Sequence, residues 1–184
     1  TNATKLTEDM CEKLITAGLS RVNLCMDGFS AEAQEAYRVN SDFEQVKSNI
    51  ELFLRVRRRL GAKNPICVLQ TLLTAYSEGQ VDAMTAWAKD AGFDRIRYKT
   101  FSIGSYTSEE EKEVAGRFLP TRDELKRHPT DIGRATCTTP LSQTVVFWNG
   151  DLGLCCIDYD QMVQLPNIET RGFLQAYLSD AAAR

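Results

Sequence analysis

The run Pro65–Leu73, PICVLQTLL, most constrains what this chain can fold into, because it is apolar on both faces with Gln70 as a polar intruder. Such a run reads as a strand buried on both sides, the pattern of a parallel sheet. Its neighbours alternate in kind. Upstream, Thr7 is placed to cap a helix over Glu8–Ala17, with Leu6, Met10, Leu14 and Ile15 as its apolar stripe and Gly18 as its stop. A short strand, Arg21–Met26, ends at Asp27-Gly28, and Ser30 caps a helical turn reaching Tyr37. Asp42 opens a longer helix that buries Phe43, Val46, Ile50, Phe53 and Leu54 and closes at Gly61. After the central run come a helix over Glu78–Ala91, with Val81, Met84, Trp87, Ala88 and Ala91 inward, and an alternating strand, Phe93–Phe101. Helix and strand taken in turn mean right-handed βα units and a parallel α/β sheet.

The character changes at Ile103–Lys112, a loop entering an exposed helix that breaks at Pro120, after which Thr121–Glu124 has capping-box spacing. Pro129, Gly133 and Pro140 punctuate the approach to Cys137–Cys156, CTTPLSQTVVFWNGDLGLCC. There Thr144–Trp148 and Asp151–Ile157 flank Asn149-Gly150, which predicts a tight two-residue hairpin with positive φ at both turn residues. Leu165–Ile168 reads as a turn, and Thr170–Ala183 as a helix with Phe173, Leu174, Tyr177 and Leu178 inward.

Composition narrows the function classes. A net charge of -3 and a pI near 5.3 argue against non-specific nucleic-acid binding. The basic run Arg55–Arg59 reads as a solvated helix end, where cations complement the helix dipole. No apolar run reaches the roughly 18 residues that span a membrane, and no signal peptide opens the chain, which begins at Thr1 and reads as cut. Six cysteines at irregular spacing do not make a disulfide framework, so reduced thiols in the cytoplasm are expected.

In parallel α/β folds ligands collect at the carboxyl ends of strands. Those ends carry Cys25, Asp27 and Gly28, with Gln70 and Lys99 able to face the same space. Gln70 needs a hydrogen-bond partner and is either a core amide or a ligand contact; Lys99 is equally a solvated strand end. His128, the single histidine, lies in a polar loop, which disfavours a hydrolase that uses a histidine base. Cys137, Cys155 and Cys156 offer two or three thiolates, too few for a closed four-ligand site; they are metal ligands or buried free cysteines.

Four segments carry a resemblance. Thr1–Leu6 resembles a strand exit "TNG-x-x-L"; Val22–Gly28, followed by Arg38, resembles "I-x-I-S-x-D-G" and its later arginine; Pro65–Thr74 resembles the next strand. Cys137…Asn149-Gly150-Asp151…Cys155-Cys156-Ile157-Asp158…Leu165-Pro166-Asn167-Ile168 is similar to "C…NGDV-x-x-CC-x-D…LGNI". These are motifs of radical S-adenosylmethionine (SAM) enzymes with a SPASM or twitch auxiliary cluster domain. The resemblance implies the second half of an open parallel (β/α)6 barrel over 1–103, a linker over 104–136, and a partial hairpin-plus-helix SPASM-like module over 137–184. It implies an oxidoreductase or maturase in which a 4Fe–4S cluster and SAM generate a 5′-deoxyadenosyl radical that takes hydrogen from a peptide or small-molecule substrate. The implied SAM-binding set is Cys25, where the family has serine, Asp27, Arg38 at the SAM carboxylate, and Gln70. Cys137 and Cys155, with Cys156 as alternative, would ligate the auxiliary cluster. The 184 residues contain no C-x3-C-x2-C and no glycine-rich SAM motif, and they stop before the usual closing C-x2-C. Both ends therefore read as truncated, with the exposed barrel edge covered by the missing N-terminal half or in an oligomer. Two alternatives stand beside this: a non-catalytic binding module on the same scaffold, and a zinc site of Cys137, Cys155 and Cys156 with Asp158.

Overall fold

The computed structural model describes residues 1–101, 108–126, 143–154, 158 and 161–179. Contacts divide the chain into Thr1–Pro129 and Thr130–Arg184. His128, Cys137, Cys155 and Cys156 lie outside the described residues.

In the first unit the expected caps form. Thr7 accepts from Met10 N to start α1 (Glu8–Thr16), Ser30 accepts from Ala33 N to start α2 (Ala31–Tyr37), and Asp42 accepts from Gln45 N to start α3 (Phe43–Arg59). Each satisfies a donor that the first helical turn leaves unpaired. Leu6, just before α1, and Leu14 and Ile15 within it pack inward as expected, but Met10 faces out and Cys11 is buried instead, because Cys11 and Ile15, four apart, share the inward face. The strands are β1 (Arg21–Cys25), β2 (Ile66–Leu73) and β3 (Arg95–Thr100), all parallel in the order β1-β2-β3. A turn of 3₁₀ helix, Glu78–Gln80, leads into α4 (Val81–Ala91), which ends on Gly92 at φ +93°.

The strand order runs one way, and α1, α3 and α4 lie on one side. Leu24, Cys67 and Leu69 pack into a single core with Ile15 of α1, Val46, Ile50 and Phe53 of α3, and Met84 and Ala88 of α4. Among the described residues the opposite side chains of the sheet have no such cover: Asn23, Cys25, Gln70 and Leu72 are half-buried, and Arg95, Arg97 and Lys99 are exposed. The expectation that β2 is buried on both faces is thus corrected. Val68 is buried between the flanking strands, but Gln70 and Leu72 border an open face.

The basic run at the end of α3 is a solvated helix end only in part: Arg55, Arg58 and Arg59 are exposed, and Arg57 is not. Arg57, 14% exposed, donates to the carbonyls of Pro65 (2.9 Å) and Gly92 (2.8 Å) and pairs with Asp94. Arg58 donates to Ala91 O, and Arg59 pairs with Glu8 and Glu12. The helix end points at the amino ends of β2 and β3, where loop carbonyls converge, and a guanidinium fork can serve several at once. Asp94 also accepts from Cys67 N at 2.7 Å. Burial works to raise its pKa, but the Cys67 amide and Arg57 outweigh it and hold the carboxyl below its usual range.

After β3, α5 (Glu109–Phe118) opens with a capping box between Ser108 and Glu111, three residues apart. The box expected at Thr121–Glu124 is absent, since Thr121 instead donates its amide and hydroxyl to Glu78. Arg122 N donates to the same carboxylate, Phe118 O accepts from Ala75 N at 3.1 Å, and the Phe118 ring meets Tyr37, Tyr76 and Phe101.

In the second unit β4 (Val145–Val146) and β5 (Leu152–Gly153) pair antiparallel. The hairpin differs from the two-residue expectation. Phe147 N donates to Asp151 O and Gly150 N to Phe147 O, and of the two turn residues Gly150 alone has positive φ, +83°. That is a three-residue loop with a glycine bulge. Asn167 locks it: its Nδ2 donates to Asn149 O and Asp151 Oδ1, both 2.9 Å, while its Oδ1 caps α6 (Ile168–Arg171). The expected helix over Thr170–Ala183 breaks at Gly172 (φ +71°, ψ 156°), and α7 covers Phe173–Tyr177. Its phase is also corrected: Ala176 is buried with Leu152 and Leu165, whereas Phe173, Leu174 and Leu178 face out. No described helix is long and apolar enough to cross a membrane.

Candidate functional site at the carboxyl ends of the strands

The chain leaves β1 through Met26 and Asp27, and Gly28 sets how closely the next helix can pack. A Cβ at Gly28 would lie 2.4 Å from Gln34 N and 2.5 Å from Ala33 C, so a residue without a side chain lets α2 lie against the strand end. That approach brings Gln34, 2% exposed, onto the Asp27 amide: Asp27 N donates to Gln34 Oε1 at 2.7 Å, and Gln34 Nε2 donates to Ser41 Oγ at 3.1 Å. Gln80 performs the same service for the next stretch of chain, accepting from Phe29 N and donating to Ser30 Oγ.

The Asp27 carboxylate is buried and used on both oxygens. Oδ1 accepts from Leu72 N at 2.9 Å, tying the β1 exit to β2; Oδ2 accepts from Arg38 Nε at 2.6 Å. Arg38 lies half-exposed with its guanidinium 5.3 Å from the Tyr37 ring centre. Burial works against its charge, but the Asp27 carboxylate outweighs that and holds Arg38 more firmly protonated than usual. Nε is committed, and the two terminal nitrogens make no hydrogen bond to a described residue. Beside them opens a cavity of about 550 Å³, lined in part by Asn2, Lys5, Gln34, Tyr37 and Ser41. A guanidinium whose two terminal nitrogens are unspent on described residues, in a polar cavity, is suited to a carboxylate or phosphate.

Cys25 and Gln70 meet in the next row of the sheet, with Gln70 Nε2 3.7 Å from Cys25 Sγ. Gln70 thus finds a partner at the edge of the open face. Lys99 is exposed on the same face of β3. Cys11 and Cys67 are core thiols: burial raises both, Cys67 to about 11. Among the described residues no group of three His, Cys, Asp or Glu side chains could hold a metal. Asp158 accepts from Met162 N at 2.8 Å and from Leu154 N at 3.5 Å, so its carboxylate is engaged in a turn.

Gln34, Gln80, Ser41 and Tyr37 were not expected at the site. Gln34 sits in AEAQEAY and Gln80 at a helix start, where a glutamine ordinarily faces solvent; the signal was Gly28, which promised a close approach without saying by what.

No family model matches the chain, and no curated protein matches it. Among solved structures it is similar to a polyhistidine-tagged anSMEcpe with bound AdoMet, at TM-score 0.61 and 16% identity, covering 100% of this chain and 54% of that one. It is similar also to native anSMEcpe with bound AdoMet, at TM-score 0.59 and 16% identity, covering 100% and 57%. The chain therefore spans little more than half the length of these structures. They are of an anaerobic sulfatase-maturating enzyme, a radical SAM enzyme. The likeness shows the fold alone: this chain is an α/β protein with a three-stranded parallel sheet, similar in fold to those structures.

Proposed function

We propose that the chain forms the side of a radical SAM oxidoreductase or maturase that holds the amino-acid end of SAM, with Arg38 taking its carboxylate. The observation that carries this is the Asp27–Arg38 pair: a buried carboxylate aims the guanidinium while leaving its terminal donors toward the cavity. Asp27, with both oxygens engaged, positions Arg38 rather than touching the ligand. Cys25 and Gln70 border the ligand space from the sheet, and a thiol there donates more weakly than a hydroxyl. With a reduced iron–sulfur cluster, SAM supplies a hydrogen-abstracting radical in such enzymes. The described thiols do not fit that cluster, because Cys11 and Cys67 are core groups and Cys25 has no second thiol beside it among the described residues. Cys137 and Cys155, with Cys156 as alternative, are the proposed ligands of an auxiliary cluster. The sheet winds in one sense with α1, α3 and α4 on one face, which supports a barrel wall over 1–103. Thr1 extends its ladder on the outer edge of β1, donating to Asn23 O and accepting from Cys25 N, and further strands from the rest of the protein or a second copy would add there. The reduced thiols favour a cytoplasmic setting.

Calorimetric titration with SAM tests this. Arg38→Lys keeps a cation beside Asp27 but loses the planar fork, and should weaken binding at least about tenfold. Unchanged SAM affinity in both Arg38→Lys and Arg38→Ala would overturn the reading.

A further inference from the structure

The open face of the sheet carries a charge pattern that the SAM reading does not use. Arg95, Arg97 and Lys99 occupy alternate positions of β3, all exposed on the side away from α1, α3 and α4. None makes an ion pair or hydrogen bond with a described residue. In a chain of net charge -3, three unneutralised cations in one row are a local concentration of positive charge. The row is not isolated: Arg97 lies in register with Gln70 and Cys25, two strands from Cys25, or about 10 Å at 4.8 Å per strand.

We propose that β3 docks an extended acidic peptide, and that this peptide is the substrate handled at the site described above. Alternate residues of a strand repeat at about 6.7 Å, so an extended segment with Glu or Asp at every second position presents carboxylates at the spacing of the three cations. A block of contiguous acids does not match that period. The backbone adds a second element. β3 has β2 as its one strand partner among the described residues. Phe101 N bonds Leu73 O in the register of the ladder, so by its alternation the amides of Arg95, Arg97 and Lys99 turn to β2 and those of Ile96 and Tyr98 to the outer edge. An incoming strand can pair there while its acids meet the cations, as in other strand-addition complexes. This edge lies opposite the β1 edge that Thr1 extends.

Only the identification of the peptide as substrate rests on the SAM reading. Fluorescence anisotropy with the full chain tests the docking, using a labelled peptide of four Thr-Glu repeats against one of equal composition with its glutamates in a block. The alternating peptide should bind at least about tenfold tighter, and weaken with salt. The triple variant Arg95→Gln, Arg97→Gln, Lys99→Gln should lose at least about tenfold, and N-methylation of the peptide's strand-pairing amides about fivefold. A triple change to Glu that instead binds a Thr-Lys repeat shows that the strand is intact. Equal binding of alternating and block peptides, unchanged binding by the Gln variant, or displacement by inorganic tripolyphosphate at equal charge concentration would overturn the proposal. SAM titrations on the same samples separate the two readings: loss of peptide docking with SAM binding intact sinks this inference alone. A chain that docks the peptide but does not bind SAM sinks the functional reading.

Discussion

Two arginine–aspartate pairs stand at opposite ends of the sheet, and they are not alike. At the amino end, Arg57 spends its guanidinium on Asp94 and on the carbonyls of Pro65 and Gly92 and is 14% exposed. At the carboxyl end, Arg38 gives Nε to Asp27 and keeps its terminal nitrogens beside a cavity, 43% exposed. The burial is also reversed. At the amino end the arginine is inside and the aspartate 41% exposed; at the carboxyl end Asp27 is inside at 4% and the arginine reaches out. A guanidinium whose donors are consumed by backbone is a fastener, whereas one anchored through a single nitrogen is aimed. Donor saturation, rather than the ion pair itself, separates scaffold from site.

The largest test removes the geometry that aims Arg38. Gly28→Ala places a methyl group within 2.5 Å of α2 backbone, which cannot yield as a flexible side chain would. A loss of about 3 kcal/mol or more in urea unfolding is expected, with SAM binding lost; a variant of wild-type stability would contradict the packing. Next comes Arg57→Ala. It strands the Pro65 and Gly92 carbonyls and should cost about 2–3 kcal/mol, while the folded variant binds SAM as wild type does. If Arg57→Ala abolished SAM binding in folded protein, the division between fastener and aimed group would fail. Arg38→Lys should show the inverse, a roughly tenfold affinity loss, about 1.4 kcal/mol, with a near-native unfolding midpoint. The smallest effect is on acid stability. Asp94 has a folded pKa below its unfolded value near 4. Its contribution is therefore present above about pH 4 and is lost as pH falls through the lowered folded value. Arg57→Ala should flatten that limb of the stability profile, and an unchanged slope would remove Arg57 as a cause.

Much of the fold was legible because its signals are local. Thr7, Ser30 and Asp42 cap the helices they precede, and the apolar face of α3 follows from spacing alone. What was not legible depends on acceptors far apart in sequence. Arg57 finds Pro65 and Gly92, 8 and 35 residues away, through backbone atoms that no residue type announces. The open face could not be seen in PICVLQTLL because cover depends on the sense in which the crossovers wind. Gly172 was a missed local signal, since its positive φ breaks the helix expected through it. At the site, Asp27 and Gly28 were visible as a strand ending, and Arg38 through the family resemblance. Gln34 was invisible because a glutamine in an alanine- and glutamate-rich helix carries no mark of burial.

The carboxylate of Glu78 accepts from both amide and hydroxyl of Thr121 and from Arg122 N, while Phe118 O holds Ala75 N. The end of α5 and the loop leaving β2 are thus joined by bonds that cannot be opened singly without leaving Glu78 short of donors. On the timescale of amide exchange they should behave as one opening unit. The Ala75, Thr121 and Arg122 amides should exchange at a common rate, and Glu78→Gln should speed all three together. Because Phe118 also packs on Tyr37, beside Arg38, that unit sets how often the aimed arginine loses its backing.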